Sequence, residues 1–217
     1  MNEESALTPE EIAEGEYFDR LYGPWESFDP AQVAEFLEGF DHPWWIVGGW
    51  AIDAFTGSAR DHEDVDVSLL SCDVPALREH VGDRWQLWNI YAGTLRPLID
   101  RWPNLIAPDS QVWVRRDRES SWVMDMPLTP DRDGMWTNKR LPDDDARPVD
   151  DVTWVADDGI RYLSPEITLL FKAKLDRPKD RLDRDRTWSL LDGRQRSWLR
   201  DAVRRMEPDH AWLPTLA

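Results

Sequence analysis

The segment that most constrains the fold of this chain is an apolar run, Trp44 to Val47, that ends in two glycines. A short run of aromatic and β-branched residues is typical of a buried strand. Gly48 and Gly49 lack a Cβ atom, so they permit positive φ angles and let a ligand approach the backbone. Residues 50–55 then have the pattern of a helix start, whose free N–H groups and dipole favour an anion. The segment predicts a strand, a phosphate-binding turn and a helix.

A second pattern follows at residues 64–67, where two aspartates alternate with two valines. Because successive side chains of a strand point to opposite faces, Asp64 and Asp66 are expected on one face and both valines in the core. Two carboxylates held side by side repel each other, and a cation between them relieves that repulsion. Mg²⁺ takes such oxygen ligands and completes its shell with water and substrate phosphates. Together the two patterns predict a site for a nucleoside triphosphate and its divalent metal.

A third carboxylate, Asp125, lies in a strand-like run of mostly apolar residues at positions 121–128. An aspartate in such a run is costly to bury without a partner, and a metal ion or a substrate hydroxyl would be such a partner. An outward-facing position on an edge strand is the alternative. Aspartates in polar or proline-flanked segments are weaker candidates, namely Asp100, Asp109 and Asp117.

The motif Gly48-Gly49-Trp50-Ala51-Ile52-Asp53, followed by Arg60-x-His62-x-Asp64-x-Asp66, resembles the nucleotidyltransferase superfamily. Within it, the motif is most similar to the group of aminoglycoside 2''-adenylyltransferases and lincosamide nucleotidyltransferases. The resemblance implies a mixed β-sheet flanked by helices, ATP as the nucleotide donor and Mg²⁺ as the cofactor. It also implies that the two glycines and a nearby basic residue hold the triphosphate. Arg60 and His62 are the candidates for that residue, and a hydrogen-bonded loop histidine is the alternative for His62.

The same resemblance assigns the metal to Asp64 and Asp66, with Asp125 as the third acidic residue of the site. Asp125 is then also the candidate general base, which takes the proton from the attacking hydroxyl. Asp53 lies one turn into the helix. We expect a structural role for it, as a cap, as a partner of Arg60 or as a support of the loop.

The last third of the chain has a helical pattern that begins at Ser164 and Pro165. Residues 165–183 resemble a C-terminal signature of several small nucleotidyltransferases, in which a lysine on the first helix reaches the nucleotide phosphates. The resemblance implies that Lys172 is a triphosphate ligand, with Lys179 as the alternative. A surface lysine on an amphipathic helix is the competing interpretation of Lys172.

The whole pattern predicts an α/β (α+β) protein with the nucleotidyltransferase fold. Residues 1–163 are expected to form the core with its N-terminal helices, and residues 164–217 a small C-terminal helical subdomain. A first helix is predicted with Thr8 as its N-cap, and a hairpin is predicted through Asp158 and Gly159. Further strands are predicted near residues 85–91, 111–116, 121–128 and 135–141.

Composition limits the partners and the compartment. The net charge of −17 argues against a nucleic-acid surface and favours a cationic small molecule, although many proteins are acidic for solubility alone. The single cysteine, Cys72, allows no intramolecular disulfide and fits a reducing compartment. No signal-peptide pattern and no membrane-length apolar run are found, so we expect a cytoplasmic protein without a membrane partner. The sequence does not predict an oligomeric state.

Two further features bear on the substrate. Of the 14 tryptophans, Trp50 and Trp136 are expected in the cleft, where an indole can stack on a base or meet an ammonium group. The acidic, proline-flanked residues 143–151 are expected to form either a solvated loop or a rim that binds amines.

These patterns lead to one principal functional hypothesis. The chain is expected to be an adenylyltransferase that moves AMP from Mg-ATP to a hydroxyl of an aminoglycoside- or lincosamide-type antibiotic, as a resistance enzyme does. Two alternatives stay open. One is a toxin-type nucleotidyltransferase that modifies tRNA or protein, and the other is a catalytically silent nucleotide-binding module of the same fold.

Overall fold

The structure is a computed structural model, and it describes residues 9–216. Its α-helices are α1 (Pro9–Tyr22), α2 (Pro30–Phe36), α3 (Gly48–Thr56), α4 (Val74–Val81), α5 (Pro165–Ala173), α6 (Pro178–Trp188) and α7 (Gly193–Met206). Its strands are β1 (Trp44–Ile46), β2 (Val67–Leu69), β3 (Gln86–Tyr91), β4 (Thr94–Pro97), β5 (Gln111–Arg115), β6 (Trp122–Pro127), β7 (Asp131–Arg132), β8 (Met135–Trp136), β9 (Thr153–Val155) and β10 (Arg161–Leu163). Short 3₁₀ helices span Ser71–Asp73, Gly82–Arg84, Val149–Asp151 and Leu213–Leu216.

The first sheet has the strand order β2-β1-β10-β9. β1 runs antiparallel to β2, with Ile46 opposite Val67, and parallel to β10, with Ile46 opposite Tyr162. β10 and β9 form an antiparallel hairpin. The glycine turn that follows β1 therefore lies beside the residues that precede β2, because the two strands are direct neighbours.

The second sheet is antiparallel, with the order β4-β3-β5-β6, and it joins the first sheet along β2 and β6. Parallel bridges connect Asp66 with Asp125 and Leu70 with Thr129. The backbone N–H of Thr129 donates to the carbonyl of Leu69 at 2.9 Å. The predicted mixed α/β fold is thereby confirmed, and the junction brings the third predicted carboxylate next to the aspartate pair.

Three apolar clusters lie in the described part of the chain, the smallest of them around Trp45 and Trp136, and the other two connect the sheets with the helices. The larger one lies between the sheets and their covering helices, and it includes Val67, Val112 and Met124, each fully buried. A second cluster lies among α5, α7 and the C-terminal 3₁₀ helix, and Ile52 of α3 packs into it. The glycine helix therefore joins the sheet to the C-terminal helices. The division of the chain at residue 163 stays a prediction.

Several details differ from the sequence prediction. The strand expected at residues 135–141 is reduced to β8, after which the chain continues as turns. β4 and β7 were not predicted, and the hairpin through Asp158 and Gly159 is confirmed. Thr8, the predicted N-cap, lies outside the described residues. Within residues 9–216, none of the helices has the length and apolar character that a membrane crossing needs.

Candidate active site

The two glycines bring the backbone close to the acidic and basic side chains of the neighbouring loop. Gly48 has a φ of +70°, and a Cβ atom there would lie 2.6 Å from Asp66 Oδ2. A Cβ atom on Gly49 would collide with the Arg60 guanidinium and with the His62 ring, the latter at 2.7 Å. Both positions thus require glycine for packing as well as for any ligand. α3 begins at Gly48 without a side-chain cap from Val47, which leaves N–H groups available to an anion.

The aspartate pair is arranged differently from the prediction. Val65 and Val67 are fully buried, as the alternating pattern predicted. The regular strand, however, begins only at Val67, so Asp64 lies in the loop before it and is exposed. Asp66 is half-buried and takes part in the bridge to Asp125. The prediction that both aspartates lie on one strand is therefore wrong, because pairing with β1 begins only at Val67 and leaves Asp64 outside the strand.

Asp125 lies on β6 directly beside Asp66. Its Oδ2 accepts a hydrogen bond of 2.9 Å from Gln111 Nε2, while its Oδ1 is buried and has no hydrogen-bond partner. Burial first, and then the negative charges of Asp66 and Asp64, raise the pKa of Asp125 well above its ordinary value. Burial and the charge of Asp64 likewise raise the pKa of Asp66 to about 6. The corner holds more negative charge than its protein neighbours balance.

This acidic corner fits a divalent cation in its chemistry. Carboxylate oxygens are the ligands that Mg²⁺ takes in proteins, and the unpartnered Oδ1 of Asp125 is a buried polar atom that a ligand would satisfy. Within residues 9–216, no three His, Cys, Asp or Glu side chains already converge as a metal-binding group. The residues that would hold a metal are therefore Asp66 and Asp125, with the exposed Asp64 as the third acidic side chain near them.

Asp53 supports the loop that carries these acids. Its Oδ2 accepts the backbone N–H of Arg60 at 3.0 Å and contacts His62 Nε2 at 2.8 Å. The His62 ring stacks on Trp50 with centroids 4.2 Å apart, and the Trp50 indole N–H donates to the carbonyl of Asp64 at 3.0 Å. Burial lowers the pKa of His62. His62 is thus a hydrogen-bonded loop histidine, and Asp53 has the structural role that the sequence indicated.

A cavity of about 500 Å³ opens between the glycine turn, the acidic corner and the C-terminal helices. We call it the main cavity. Its lining includes Gly48, Gly49, Asp64 and Asp66, but not Asp125, whose neighbour Gln111 does line it. The basic residues that line it are Arg60, Lys139, Arg140, Lys172, Arg177 and Lys179. In a chain with a net charge of −17, so many basic side chains around one opening favour an anionic ligand.

The predicted lysines are both in the main cavity, and both are already paired. Lys172 is buried, and its Nζ lies 2.7 Å from Asp183 and 3.4 Å from Asp180. Lys179 is exposed and lies 3.4 Å from Glu63. Lys172 is therefore not a surface lysine, because the buried aspartates of α6 draw it inward. A phosphate that binds either lysine must compete with a carboxylate.

Two further basic residues of the main cavity were missed by the sequence analysis. Lys139 donates to the carbonyl of Leu128 at 2.6 Å, and burial together with the charge of Arg140 lowers its pKa to about 8. Arg140 lies over the ring of Phe171, with its guanidinium carbon 5.5 Å from the ring centroid. Both residues follow β8 in an irregular segment without a motif, so no spacing pattern could have identified them.

One substrate-related prediction is wrong for the main cavity, and for the acidic segment the loop alternative is correct. Neither Trp50 nor Trp136 lines it, because Trp50 stacks behind His62 and Trp136 is only 2% exposed in an apolar cluster.

None of the acidic residues 143–151 lines the main cavity either. Asp144 pairs with Arg205, and Asp150 lies 2.7 Å from Arg161. This segment is a loop held by ion pairs and does not form a rim of the main cavity. Asp109, a weaker candidate on sequence grounds, does line the cavity.

Comparisons with known proteins point to one family. Residues 31–81, about a quarter of the chain, match the family model described as aminoglycoside-2''-adenylyltransferase. Among curated proteins, none matches the chain. The crystal structure of ANT(2")-Ia in complex with adenylyl-2"-tobramycin is similar at 17% identity and a TM-score of 0.48, covering 81% of this chain and 94% of that one.

A solution structure of the antibiotic-resistance factor ANT(2'')-Ia is similar at 17% identity and a TM-score of 0.49, covering 82% of this chain and 94% of that one. These TM-scores are too low to add to the geometry and the family match. The matched segment contains Gly48, Gly49, Asp64 and Asp66. The family match therefore confirms, over this segment, the resemblance to aminoglycoside 2''-adenylyltransferases.

Proposed function

We propose that this chain transfers AMP from Mg-ATP to a hydroxyl group of a cationic small molecule, of the aminoglycoside or lincosamide type. The observation that carries the proposal is the junction of the two sheets. There Asp66 and Asp125 lie side by side at the glycine turn, at the end of a cavity with many basic side chains. Nucleotidyl transfer needs this combination, because negative phosphates must approach the carboxylates that hold the metal.

The triphosphate is proposed to bind at the start of α3. The N–H groups of the uncapped first turn and the helix dipole favour negative charge, and the Arg60 guanidinium lies against Gly49. Arg60, His62, Lys172 and Lys179 are the predicted side-chain ligands, and all four line the main cavity. Lys139 and Arg140 line it as well, so they are added as candidates for the phosphates or the leaving pyrophosphate.

Asp64, Asp66 and Asp125 are proposed to hold Mg²⁺. When bound there, the ion supplies charge neutralisation for the phosphates and brings donor and acceptor oxygens together. The protein contributes the fixed position of the carboxylates. Asp66 is held by the strand pairing of Val67, and Gln111 fixes one oxygen of Asp125.

The transfer itself is a substitution at the α-phosphorus of ATP. The acceptor oxygen forms a bond to this phosphorus, the bond to the bridging oxygen breaks, and pyrophosphate leaves with the electron pair. The proton of the acceptor hydroxyl is proposed to pass to an oxygen of Asp125 that does not hold the metal. Burial and neighbouring charges raise the pKa of Asp125, so the carboxyl can take this proton only when it is ionised.

The proposed acceptor class rests on charge and on the family match. Asp61, Glu63 and Asp109 line the main cavity beside the acidic corner, so an amine can find carboxylates near the reacting hydroxyl. The acidic net charge of the chain would speed the approach of a cationic compound. The description of the matched family names an aminoglycoside as the compound that receives the adenylyl group.

A direct test is incubation of the purified protein with Mg-ATP and a panel of aminoglycosides and lincosamides, read by mass spectrometry. We expect a drug whose mass rises by one AMP. Asp64→Ala should abolish the adduct, while Asp157→Ala, which removes an exposed carboxylate elsewhere, should retain it. If no drug is modified but calorimetry shows Mg-ATP binding, the acceptor class is wrong. If Mg-ATP does not bind, nucleotidyl transfer itself is wrong.

A further inference from the structure

One glutamine connects the main cavity to the proposed general base. Asp125 does not line the cavity, whereas Gln111, which is half-buried, does. The two residues lie on paired strands, with Gln111 at the first position of β5 and Asp125 on β6. Within residues 9–216, Gln111 is the lining residue whose side chain donates a hydrogen bond to Asp125. An acceptor that approaches Asp125 through the main cavity therefore meets this amide as well.

The two ends of the Gln111 amide have different surroundings. Nε2 donates to Asp125 Oδ2 at 2.9 Å, and an ionised carboxylate only accepts hydrogen bonds, so the nitrogen is the end that faces Asp125. In the part of the chain that the structure describes, no donor bonds to Oε1, and this oxygen is not one of the buried polar atoms without a partner. Oε1 therefore keeps accessible surface, and the main cavity is the opening that Gln111 lines.

The backbone of Gln111 is fixed by a buried polar network. Asn89 is fully buried, and its Nδ2 donates to the carbonyl of Gln111 at 2.9 Å and to the hydroxyl of Ser110 at 2.8 Å. Its Oδ1 accepts the backbone N–H of Ile106 at 2.7 Å. Gln111 also belongs to a strand that is paired on both sides, with β3 and with β6. The amide thus starts from a rigid backbone position, as a group that orients a substrate must.

The free oxygen of Gln111 lies close to the position of the reacting hydroxyl. The nitrogen and the oxygen of an amide are about 2.3 Å apart. Oε1 is therefore within about 5 Å of Asp125 Oδ2. A sugar hydroxyl that gives its proton to Asp125 has its neighbouring ring substituent within reach of Oε1. That substituent must be a donor, because a carbonyl oxygen only accepts hydrogen bonds.

We propose that Gln111 is both a positioning residue and a specificity-determining residue of the acceptor site. Nε2 holds the carboxylate of Asp125 in place, and Oε1 accepts a hydrogen bond from an ammonium or hydroxyl group on the carbon next to the reacting hydroxyl. The site therefore selects acceptors that carry such a neighbouring donor. The positioning role rests on the proposed function, whereas binding at Oε1 can be measured without turnover.

Calorimetry without ATP tests the contact at Oε1. The probe is kanamycin, an aminoglycoside with ammonium and hydroxyl groups on neighbouring ring carbons. Gln111→Met, which has a similar size but no amide, should weaken the affinity about tenfold, because a hydrogen bond to a charged group is lost. Gln111→Glu keeps an oxygen at the cavity and adds a negative charge, so its affinity should equal or exceed that of the parent protein. No binding by the parent protein, an unchanged affinity in Gln111→Met, or equal losses in both variants would overturn this contact.

Gln86→Met is the matched control. Gln86 is also half-buried and begins a strand of the same sheet, but it does not line the main cavity. The control should bind kanamycin as the parent protein does. A tenfold loss in this variant as well would assign the effect to the sheet and reject the contact at Gln111.

Turnover tests the positioning role of Nε2. The kcat for AMP transfer to kanamycin should fall about tenfold in both Gln111→Met and Gln111→Glu, because neither side chain keeps the amide N–H that holds Asp125. KM should rise in Gln111→Met alone, and a purely structural role would not separate the two variants in this way. A parent-like kcat in Gln111→Met would overturn the positioning role. If the parent protein binds kanamycin but transfers AMP to no drug of the panel, the proposed function and the positioning role fail, while the contact at Oε1 stands.

Discussion

The two walls of the main cavity differ in how their charges are balanced. On the sheet side, Asp66 lines the cavity and Asp125 lies beside it with one oxygen unpartnered, and burial and nearby negative charges raise the pKa of both carboxyls. On the helical side, each lysine has an acidic partner, as Lys172 has Asp183 and Lys179 has Glu63. On the sheet side no protein cation balances the carboxylates, whereas on the helical side the two lysines are already paired with carboxylates.

This difference indicates that the two walls respond to ligands in opposite ways. We call the sheet side, with Asp66 and Asp125, the acidic wall and the helical side, with Lys172 and Lys179, the basic wall. A cation that binds the acidic wall balances the charge of the carboxylates and stabilises the folded chain. An anion that binds the basic wall must displace protein carboxylates, so part of its binding free energy is used in breaking ion pairs. The acidic wall is therefore expected to control catalysis, and the basic wall is expected to control stability as well as binding.

The strongest test of the acidic wall is Asp66→Asn. We expect kcat/KM for AMP transfer to fall by about 10³-fold, equivalent to about 4 kcal/mol, because the variant loses a charged metal ligand. Steady-state kinetics on the acceptor found by mass spectrometry measures this loss. Asp157→Asn, an exposed aspartate outside the cavity, should retain full activity. Activity within threefold of the parent protein would remove Asp66 from the site.

The basic wall is tested by Lys172→Met, which removes the close partner of the buried Asp183 and leaves it only the longer contact of 3.7 Å to Arg60. Breaking a buried ion pair in this way should lower the free energy of unfolding by about 3 kcal/mol. Urea unfolding followed by circular dichroism measures the change. Adding Asp183→Asn to the same chain should recover a large part of the loss. If Lys172→Met unfolds as the parent protein does, the lysine is a ligand residue without the structural role described above.

The unbalanced negative charge at Asp66 should also affect how the free energy of unfolding depends on pH. Burial and the charge of Asp64 raise the pKa of Asp66 to about 6, so the folded chain binds a proton there more tightly than the unfolded chain. Without metal, this group should add about 1 kcal/mol to the free energy of unfolding as the pH falls from about 7 to about 5. The gain is the difference between the parent protein and Asp66→Asn, measured by urea unfolding in EDTA.

Mg²⁺ is expected to stabilise the parent protein and Asp66→Asn to different extents. At pH 7 the ion is expected to raise the unfolding temperature of the parent protein and to leave Asp66→Asn almost unchanged, because the ligand pair is incomplete in the variant. An equal response of both proteins to Mg²⁺ would mean that the ion binds outside the acidic wall.

The smallest effect is expected from Lys179→Gln. The pair with Glu63 is exposed on both sides, so its loss should change the free energy of unfolding by less than about 0.5 kcal/mol. The affinity for Mg-ATP should fall about threefold, measured by calorimetry. Lys174→Gln is the matched control, since Lys174 is exposed on the same segment but does not line the main cavity. Equal effects of the two changes would exclude a specific role for Lys179.

The sequence could predict the parts of the site that depend on local pattern. The strand before Gly48, the buried Val65 and Val67, and the acidic residue of β6 follow from short-range periodicity and from the glycines. The mixed α/β class and the β9–β10 hairpin follow in the same way.

The remaining parts depend on packing between distant segments. The ion pairs of Lys172 follow from how α6 lies against α5, and no spacing rule gives that contact. The positions of Lys139 and Trp50 depend on which side of a loop or helix meets the cavity. Asp64 was misplaced because alternation predicts the face of a residue inside a strand, while the start of the strand is set by pairing with β1.

The bridge between Asp66 and Asp125 links folding to activity in a definite order. The two residues are 59 positions apart in sequence and lie at the edges of different sheets, and the two sheets share no strand. A nascent or partly unfolded chain with only one sheet formed therefore has half of the carboxylate site. The segment that matches the family model ends at residue 81, so it contains Asp66 but not Asp125. Metal binding would then report docking of the two sheets, and it would distinguish that late step from the formation of either sheet.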